Sequence, residues 1–359
     1  MRIGVLGGGQ LGRMLGLAGR PLGFTFTFLD PADECPAAIA GDVIRAPFDD
    51  PAALDRLAET SDVITWEFEN VPEPSAMRLA ESRAVHPPSR ALGVSQNRLL
   101  EKQSFARLGI PVVRHAAAKD EAGTRRALET IGLPAVIKTQ RMGYDGRGQR
   151  VVRAVADVAP AIAALGDAPL IVEAFVPFRR ELSVIAVRSR RAEIACYPIV
   201  ENHHADGILR RSLAPAPDLA PALAAAAERY ARAVLEDLDY VGVLAIELFE
   251  TDGGLLANEM APRVHNSGHW SIEGAETSQF ENHLRAISGL PLGATAARGV
   301  SAMVNLIGTM PDLALLLAAP GAHVHLYGKT PRPGRKLGHV TLRADDRTAL
   351  ARALEALPV

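Results

Sequence analysis

Lys138 closes a short apolar run, Ala135-Val136-Ile137. Five residues later the chain reads Gly143-Tyr144-Asp145-Gly146-Arg147-Gly148-Gln149. Three glycines in six positions leave the backbone free to turn its N–H groups toward an anion. A strand ending in an ammonium group, followed by a glycine loop that can fold over phosphates, is chemistry suited to a nucleoside triphosphate. The stretch lacks the Gly-Lys-Ser/Thr that leads a P-loop into its helix. Only five of the 39 basic residues are lysines (Lys102, Lys119, Lys138, Lys329 and Lys336). A lysine kept at this strand end fits a need for a compact ammonium rather than a planar fork, although a chance lysine at a strand end is the plain alternative.

A second group is acidic. Val243–Phe249 and Leu255–Glu259 read as strands joined by the turn Asp252-Gly253-Gly254. A hairpin centred on Gly253 sets Glu247 opposite Glu259. Two opposed carboxylates repel unless a proton or a cation lies between them. Mg2+ shared with nucleotide phosphates removes the conflict, and Asn258 can add an amide oxygen. The bland reading is a shifted register with one glutamate in solvent. Directly after Glu259 comes Arg263-Val264-His265-Asn266-Ser267-Gly268-His269-Trp270. This dense set of donors suits an oxyanion such as carboxylate, phosphate or bicarbonate, against the alternative of a polar turn anchored by Trp270. Farther on, Lys329 and the turn Arg332-Pro333-Gly334-Arg335-Lys336 are either solvated charge or a site for a phosphate-bearing small substrate.

The elements that must hold these groups follow from periodicity. Residues 1 to about 95 alternate short apolar strands (Ile3–Leu6, Phe24–Leu29, Val63–Trp66) with helices at Gln10–Ala18, Ala52–Ala58 and Ser75–Ala80, the pattern of a doubly wound parallel sheet. Gly7-Gly8-Gly9-Gln10-Leu11-Gly12 follows the first strand as G-x-G-x-x-G, with Asp30 at a later strand end. That is a dinucleotide fingerprint, but the same turn serves any anion at a helix N-terminus, or none. Ser95 reads as the N-cap of a helix over Gln96–Leu108, closed by Gly109 and Pro111. Shorter runs follow to about 200, then a helix near 218–238, the acidic hairpin, and strand-like runs at Met303–Ile307, His323–Tyr327 and His339–Leu342.

Bulk properties narrow the class. With 359 residues, 48% hydrophobic and 22% charged, the chain has the composition of a globular protein of two or three domains. A formal charge of −2 gives no basic footprint for nucleic acid. Two cysteines, Cys35 and Cys196, make no disulfide framework and no metal cluster. No signal peptide pattern is visible. The longest aliphatic run, Leu313–Ala319, falls far short of the ~20 residues that span a bilayer. The expected location is cytoplasmic, with no membrane partner.

Together, Ile137-Lys138, Gly143–Gln149, Glu247, Asn258-Glu259 and Arg263–Asn266 resemble the ATP-grasp superfamily. Within it, Gly8–Met14, Gly143–Gln149, Asp206–Arg210, Ala261–Trp270 and Arg332–Lys336 are similar to the 5-(carboxyamino)imidazole ribonucleotide synthases of purine biosynthesis. The resemblance runs from Ile3 to about Leu342, and only residues 31–62 offer nothing to match. It implies an α/β and α+β architecture: a Rossmann-like parallel-sheet domain (1–95), a central ATP-grasp domain (96–290, lid about 111–175) and a small β-rich C-terminal domain (291–359). It implies a ligase that uses ATP, Mg2+ and bicarbonate to N-carboxylate 5-aminoimidazole ribonucleotide by way of carboxyphosphate, acting on small molecules and forming a homodimer.

By motif position the resemblance implies the following roles. Glu247 and Glu259 hold the metal. Arg98, Lys138, the loop 143–149, Glu173, Ala174, Phe175, Val176, Glu181, His204 and Asn258 bind the nucleotide. Arg263, His265, Asn266 and Ser267 hold bicarbonate and its phosphorylated product. Gln10, Leu11, Tyr144, Asp145, Lys329 and Arg335 meet the ribonucleotide, the last two at its phosphate. The rival readings are a formate-dependent glycinamide ribonucleotide transformylase, an NAD-dependent oxidoreductase built on the first domain, and a non-catalytic nucleotide-binding module. A biotin carboxylase fits the motifs and the length less well.

Overall fold

The computed structural model describes every residue except Tyr144, Asp145, Arg147 and Val359. It begins with five parallel strands: β1 (Arg2–Leu6), β2 (Thr25–Leu29), β3 (Asp42–Ile44), β4 (Val63–Trp66) and β5 (Ala84–Val85), ordered β3-β2-β1-β4-β5. Every residue of β4 and all but the first of β1 are buried, as expected for a sheet covered on both faces. Helix α1 (Gln10–Gly19) starts immediately after the glycine turn.

A second sheet is four-stranded and antiparallel, made of β6 (His115–Ala118), β7 (Ala135–Thr139), β8 (Gln149–Val152) and β9 (Leu170–Ala174), ordered β6-β9-β7-β8. Lys138 pairs with Gln149, so the glycine loop is the hairpin between β7 and β8. Gly148 has φ +71°, and a Cβ there would lie 2.6 Å from Thr139 Oγ1. The turn therefore needs glycine.

The central sheet contains β10 (Arg180–Arg188), β11 (Ile194–Cys196), β12 (Val200–Ala205), β13 (Ile208–Ala214), β14 (Gly242–Thr251), β15 (Gly254–Ala261), β16 (Val300–Ile307), β17 (Ala322–Leu326) and β18 (Lys336–Ala344). The order is β15-β14-β10-β12-β13-β16-β18-β17, with β11 paired to β10. The C-terminal strands therefore continue the central sheet through the β13–β16 pair rather than forming a sheet of their own.

Alternation along β10 and β14 assigns the two faces. Leu182, Val184, Leu244 and Ile246 pack with Ala227, Ala231 and Val234 of the helix Pro221–Asp237. Ile185, Val187, Val243 and Ala245 face the other way, toward Phe280 and Leu284 of the helix Gln279–Ser288. There they share one core with Leu11, Leu15, Phe26 and Phe28 of the first sheet. By the two-residue strand period, Glu247 lies on this second face.

Helix boundaries near residue 96 differ from the sequence reading. Ser95 ends a helix (Ser89–Ser95), and Asn97 caps the next (Arg98–Arg107). The Asn97 side-chain oxygen accepts from the N–H groups of Leu99 and Leu100, at 3.0 and 3.2 Å, which frees the chain to break between the helices. The polar hairpin β12–β13 was not visible as strands, because its residues carry no apolar alternation.

Candidate active site

Glu247 and Glu259 face one another across β14 and β15. The turn is tighter than a Gly253 centre: Thr251 pairs with Gly254, and regular pairing continues to Leu248 opposite Ala257. A bulge then adds one residue, Asn258, and brings Glu259 rather than Asn258 opposite Glu247. Burial, then the charge of Glu259, pushes the Glu247 carboxyl up to about 7. Burial also opposes ionisation of Glu259, but Arg98 and Lys138 outweigh it and hold that carboxyl below its ordinary value. Arg98 bonds Glu259 Oε2 at 2.7 Å and reaches the Gly143 carbonyl at 3.3 Å, tying the glycine loop to the acidic pair. The Asn258 side-chain oxygen is buried and has no partner. Two opposed carboxylates and an unbonded amide oxygen fit a hard divalent cation that takes its remaining ligands from phosphates and water.

Lys138 lies 2.7 Å from Glu173 Oε2, and Lys102 lies 3.2 Å from Oε1. Burial works against the Glu173 charge, but Lys138 and Lys102 prevail and hold the carboxyl at about 2. Lys102 also donates to the Asn258 carbonyl at 3.2 Å, inside the bulge. Glu101, one residue earlier, accepts from the Met260 N–H at 2.7 Å, and burial followed by Glu259 raises it to about 8. Neither Lys102 nor Glu101 was singled out in the sequence. Their signal was available: residues 98, 101 and 102 fall on one helix face. The N–H groups of Ala174 and Phe175 are taken by the carbonyls of Arg114 and Pro134, at 2.9 and 3.1 Å. Glu181 and His204 bond each other. That bond raises the His204 pKa in spite of burial.

The loop after Glu259 is built by Gln279, whose side chain accepts from His265 N–H at 2.9 Å and donates to His265 C=O at 2.6 Å. His265 Nδ1 is 2.8 Å from Ser267 Oγ, and Nε2 is 3.4 Å from Glu247 Oε1. Burial and then Arg263 keep this imidazole neutral, well below its usual pKa. Arg263 is paired with Glu69. Both polar atoms of the Asn266 side chain are buried without a partner. An amide in that state is costly unless a ligand or water completes it. His269 and Trp270 are buried, and Trp270 meets Tyr197 edge-on at 6.4 Å. Arg98, Gly143, Glu247, Glu259, Arg263 and His265 line one cleft.

The glycine turn at the amino terminus has its own occupant. The Glu67 carboxylate, unremarked in the sequence, accepts from the N–H groups of Gly9, Leu11 and Gly12 at 2.9, 3.1 and 3.2 Å. Asp30 accepts from Gly8 N–H at 2.6 Å. The end of α1 that would hold a pyrophosphate is thus filled by the chain itself, which removes the geometric support for a dinucleotide there. Leu11 is buried, while Gln10 accepts from Lys329. Arg335 pairs with Glu34. Gly146 packs against the turn at Asp206 and Gly207, with a Cβ position 3.1 Å from the Asp206 carbonyl. Tyr144, Asp145 and Arg147 lie outside the described residues.

Three family models cover most of the chain: the ribonucleotide synthetase preATP-grasp domain over residues 1–96, the ATP-grasp domain over 103–280, and the phosphoribosylaminoimidazole carboxylase C-terminal domain over 301–353. The N5-carboxyaminoimidazole ribonucleotide synthase of Pseudomonas aeruginosa is 53% identical over 350 residues, 98% of this chain and 96% of that protein. The chain belongs to the N5-carboxyaminoimidazole ribonucleotide synthase family. The crystal structure of the Thermus thermophilus synthetase superposes with a TM-score of 0.94 at 54% identity, covering 99% of both chains. The Aspergillus clavatus synthase, solved in complex with ADP and 5-aminoimidazole ribonucleotide, gives 0.91 at 34% identity, covering 99% of this chain and 98% of that one. The family's mixed architecture, a parallel-sheet preATP-grasp domain ahead of an ATP-grasp domain, is the one observed.

Proposed function

We infer that this chain is the ATP-dependent ligase that N-carboxylates 5-aminoimidazole ribonucleotide in purine biosynthesis, converting ATP, bicarbonate and the ribonucleotide into the N5-carboxylated product, ADP and phosphate. The observation that carries the reading is the unbonded, buried Asn266 amide beside Arg263 and His265, next to an acidic pair that itself calls for a cation. Bicarbonate is a poor electrophile. Taking the γ-phosphoryl group gives it a phosphate leaving group, as carboxyphosphate, and the exocyclic amine then attacks its carbon.

Such a transfer needs alignment and charge neutralisation more than covalent help. Mg2+ bound by Glu247 and Glu259 supplies that neutralisation at the phosphates. Arg98 and Lys138 align the phosphates, Asn258 offers its amide oxygen to the cation on the nucleotide, and the loop 143–149 is assigned to cover the phosphates and exclude water. Glu173 to Val176, Glu181 and His204 receive the nucleoside. Arg263, neutral His265, Asn266 and Ser267 hold the one-carbon oxyanion. Gln10, Leu11, Tyr144, Asp145, Lys329 and Arg335 receive the ribonucleotide, with Lys329 and Arg335 at its phosphate. This reading divides the chain at about 95 and 290 and takes the protein as a cytoplasmic homodimer; among the described residues no helix is long and apolar enough to cross a membrane.

The deciding experiment is phosphate release with each substrate omitted in turn. Release should require ATP, bicarbonate and 5-aminoimidazole ribonucleotide together, and formate should not replace bicarbonate. Release driven by formate would move the chain to the transformylase reading. A nicotinamide absorbance change without ATP would move it to the oxidoreductase reading. Sedimentation at micromolar concentration tests the dimer.

A further inference from the structure

The turn after β17 is built as an anion site, and a side chain from the other end of the molecule fills it. Glu34 Oε1 accepts from both the backbone N–H and the hydroxyl of Thr330, at 2.6 and 2.9 Å. Glu34 Oε2 accepts from the Arg335 guanidinium. Arg335 also donates to the Thr330 carbonyl at 3.1 Å, which closes the turn around the carboxylate. The Lys329 ammonium stands beside it, held by Gln10 and lying 5.8 Å from the Tyr327 ring centre. A backbone N–H, a hydroxyl, a guanidinium and a neighbouring ammonium are the donors that proteins gather around phosphate. Glu34 comes from the loop after β2, 296 positions before Thr330.

We propose that Glu34 is a specificity-determining residue whose carboxylate stands in for the substrate's phosphate, so that a phosphate monoester must displace it to bind. This rests on the assignment of Lys329 and Arg335 to the ribonucleotide phosphate. The physical basis is a difference in charge and in number of acceptors. A monoester carries close to two negative charges and three acceptor oxygens, whereas a carboxylate carries one charge and two oxygens. The Glu34 side chain keeps about a third of its surface open to solvent, so an incoming anion can reach the pair and exchange with the carboxylate. A monoester can therefore win the donors. Small monoanions and the dephosphorylated nucleoside cannot, which keeps them out.

The test is calorimetric titration of the full-length protein with ribose 5-phosphate, with ribose as the uncharged control. Glu34→Gln keeps the shape and removes the charge. It should bind ribose 5-phosphate about three- to tenfold more tightly than the parent protein, with ribose unchanged. Glu34→Ala should shift affinity in the same direction. Arg335→Gln should lose most of the binding in either background. Unchanged or weaker binding in both Glu34 variants, with Arg335→Gln still losing it, overturns the role of Glu34 alone. Parental affinity in Arg335→Gln overturns the phosphate assignment, and the role of Glu34 with it.

Discussion

Glu247 and Glu259 show how a single residue's environment sets its chemistry. They are neighbours of the same type, yet one carboxyl is pushed up to about 7 and the other is held down. The difference is the cations beside Glu259, namely Arg98, which bonds this carboxylate rather than Glu247, and Lys138. A cation between the two carboxylates would satisfy both. Replacing either with glutamine removes half of that grip, so turnover should fall by a factor on the order of 10^2–10^3, with an unchanged circular dichroism spectrum. Near-normal phosphate release from either variant would falsify the metal assignment. Lys138 presents a different constraint. Its ammonium sits 2.7 Å from a carboxylate whose other oxygen is held by buried Lys102, leaving no room for a planar fork. Lys138→Arg should therefore weaken ATP binding roughly tenfold by equilibrium titration; unchanged affinity would show that the site accepts either cation.

At the scale of elements, two local features position the site. The bulge at Asn258 returns the hairpin to the register that opposes the two glutamates, and it leaves the Asn258 amide oxygen unbonded and buried. The other feature is the start of α1. Glu67 satisfies three N–H groups that the helix itself leaves without partners. A Cβ at Gly9 would lie 2.7 Å from Glu67 Oε1, so the close approach depends on that glycine. Glu67→Ala strands those donors in a buried turn. Chemical unfolding should register a loss of about 2–3 kcal/mol, well above an ordinary surface change. A loss under about 0.5 kcal/mol would mean that water replaces the carboxylate without cost.

At the scale of the whole molecule, the first sheet and the central sheet share one core, and His283 joins them at its centre. Its Nδ1 accepts from Val243 N–H at 3.1 Å, so its Nε2–H donates to Thr65 Oγ1 at 2.9 Å. That links β14 to β4 through the helix Gln279–Ser288. Burial, followed by His86, lowers its pKa to about 3. The folded protein therefore keeps His283 neutral, while the unfolded chain protonates it below about 6.5. Its contribution is complete above that pH and declines as pH falls toward 3. Compared with His283→Gln, the stability advantage of the parent protein should shrink by about 1.4 kcal/mol per pH unit below 6.5, measured by urea unfolding at pH 7.5, 6.0 and 5.0. A gap that does not change with pH would show that His283 is not held neutral.

Local chemistry and period determined much of this protein from sequence alone. Short apolar runs marked three of the five strands of the first sheet, leaving out the short strands β3 and β5, and the glycine spacing after Lys138 marked a loop beside a cation. Turn residues at 252 and 253 marked the hairpin that carries Glu247 and Glu259, because such signals act over a few residues, whereas the bulge at Asn258 that sets the two glutamates opposite each other appeared only in the folded sheet. Tertiary structure decided what depends on distant neighbours. Lys102 and Glu101 became part of the site only when the helix Arg98–Arg107 packed against β15, which carries Lys102 to Glu173 of β9 and Glu101 to the Met260 N–H. The filling of the α1 terminus by Glu67 required β4 to end beside that turn. The C-terminal strands joined the central sheet only through the β13–β16 pairing, which no local pattern encodes. Glu34 carries no motif, and only the closing of the chain's two ends upon each other gives it a partner.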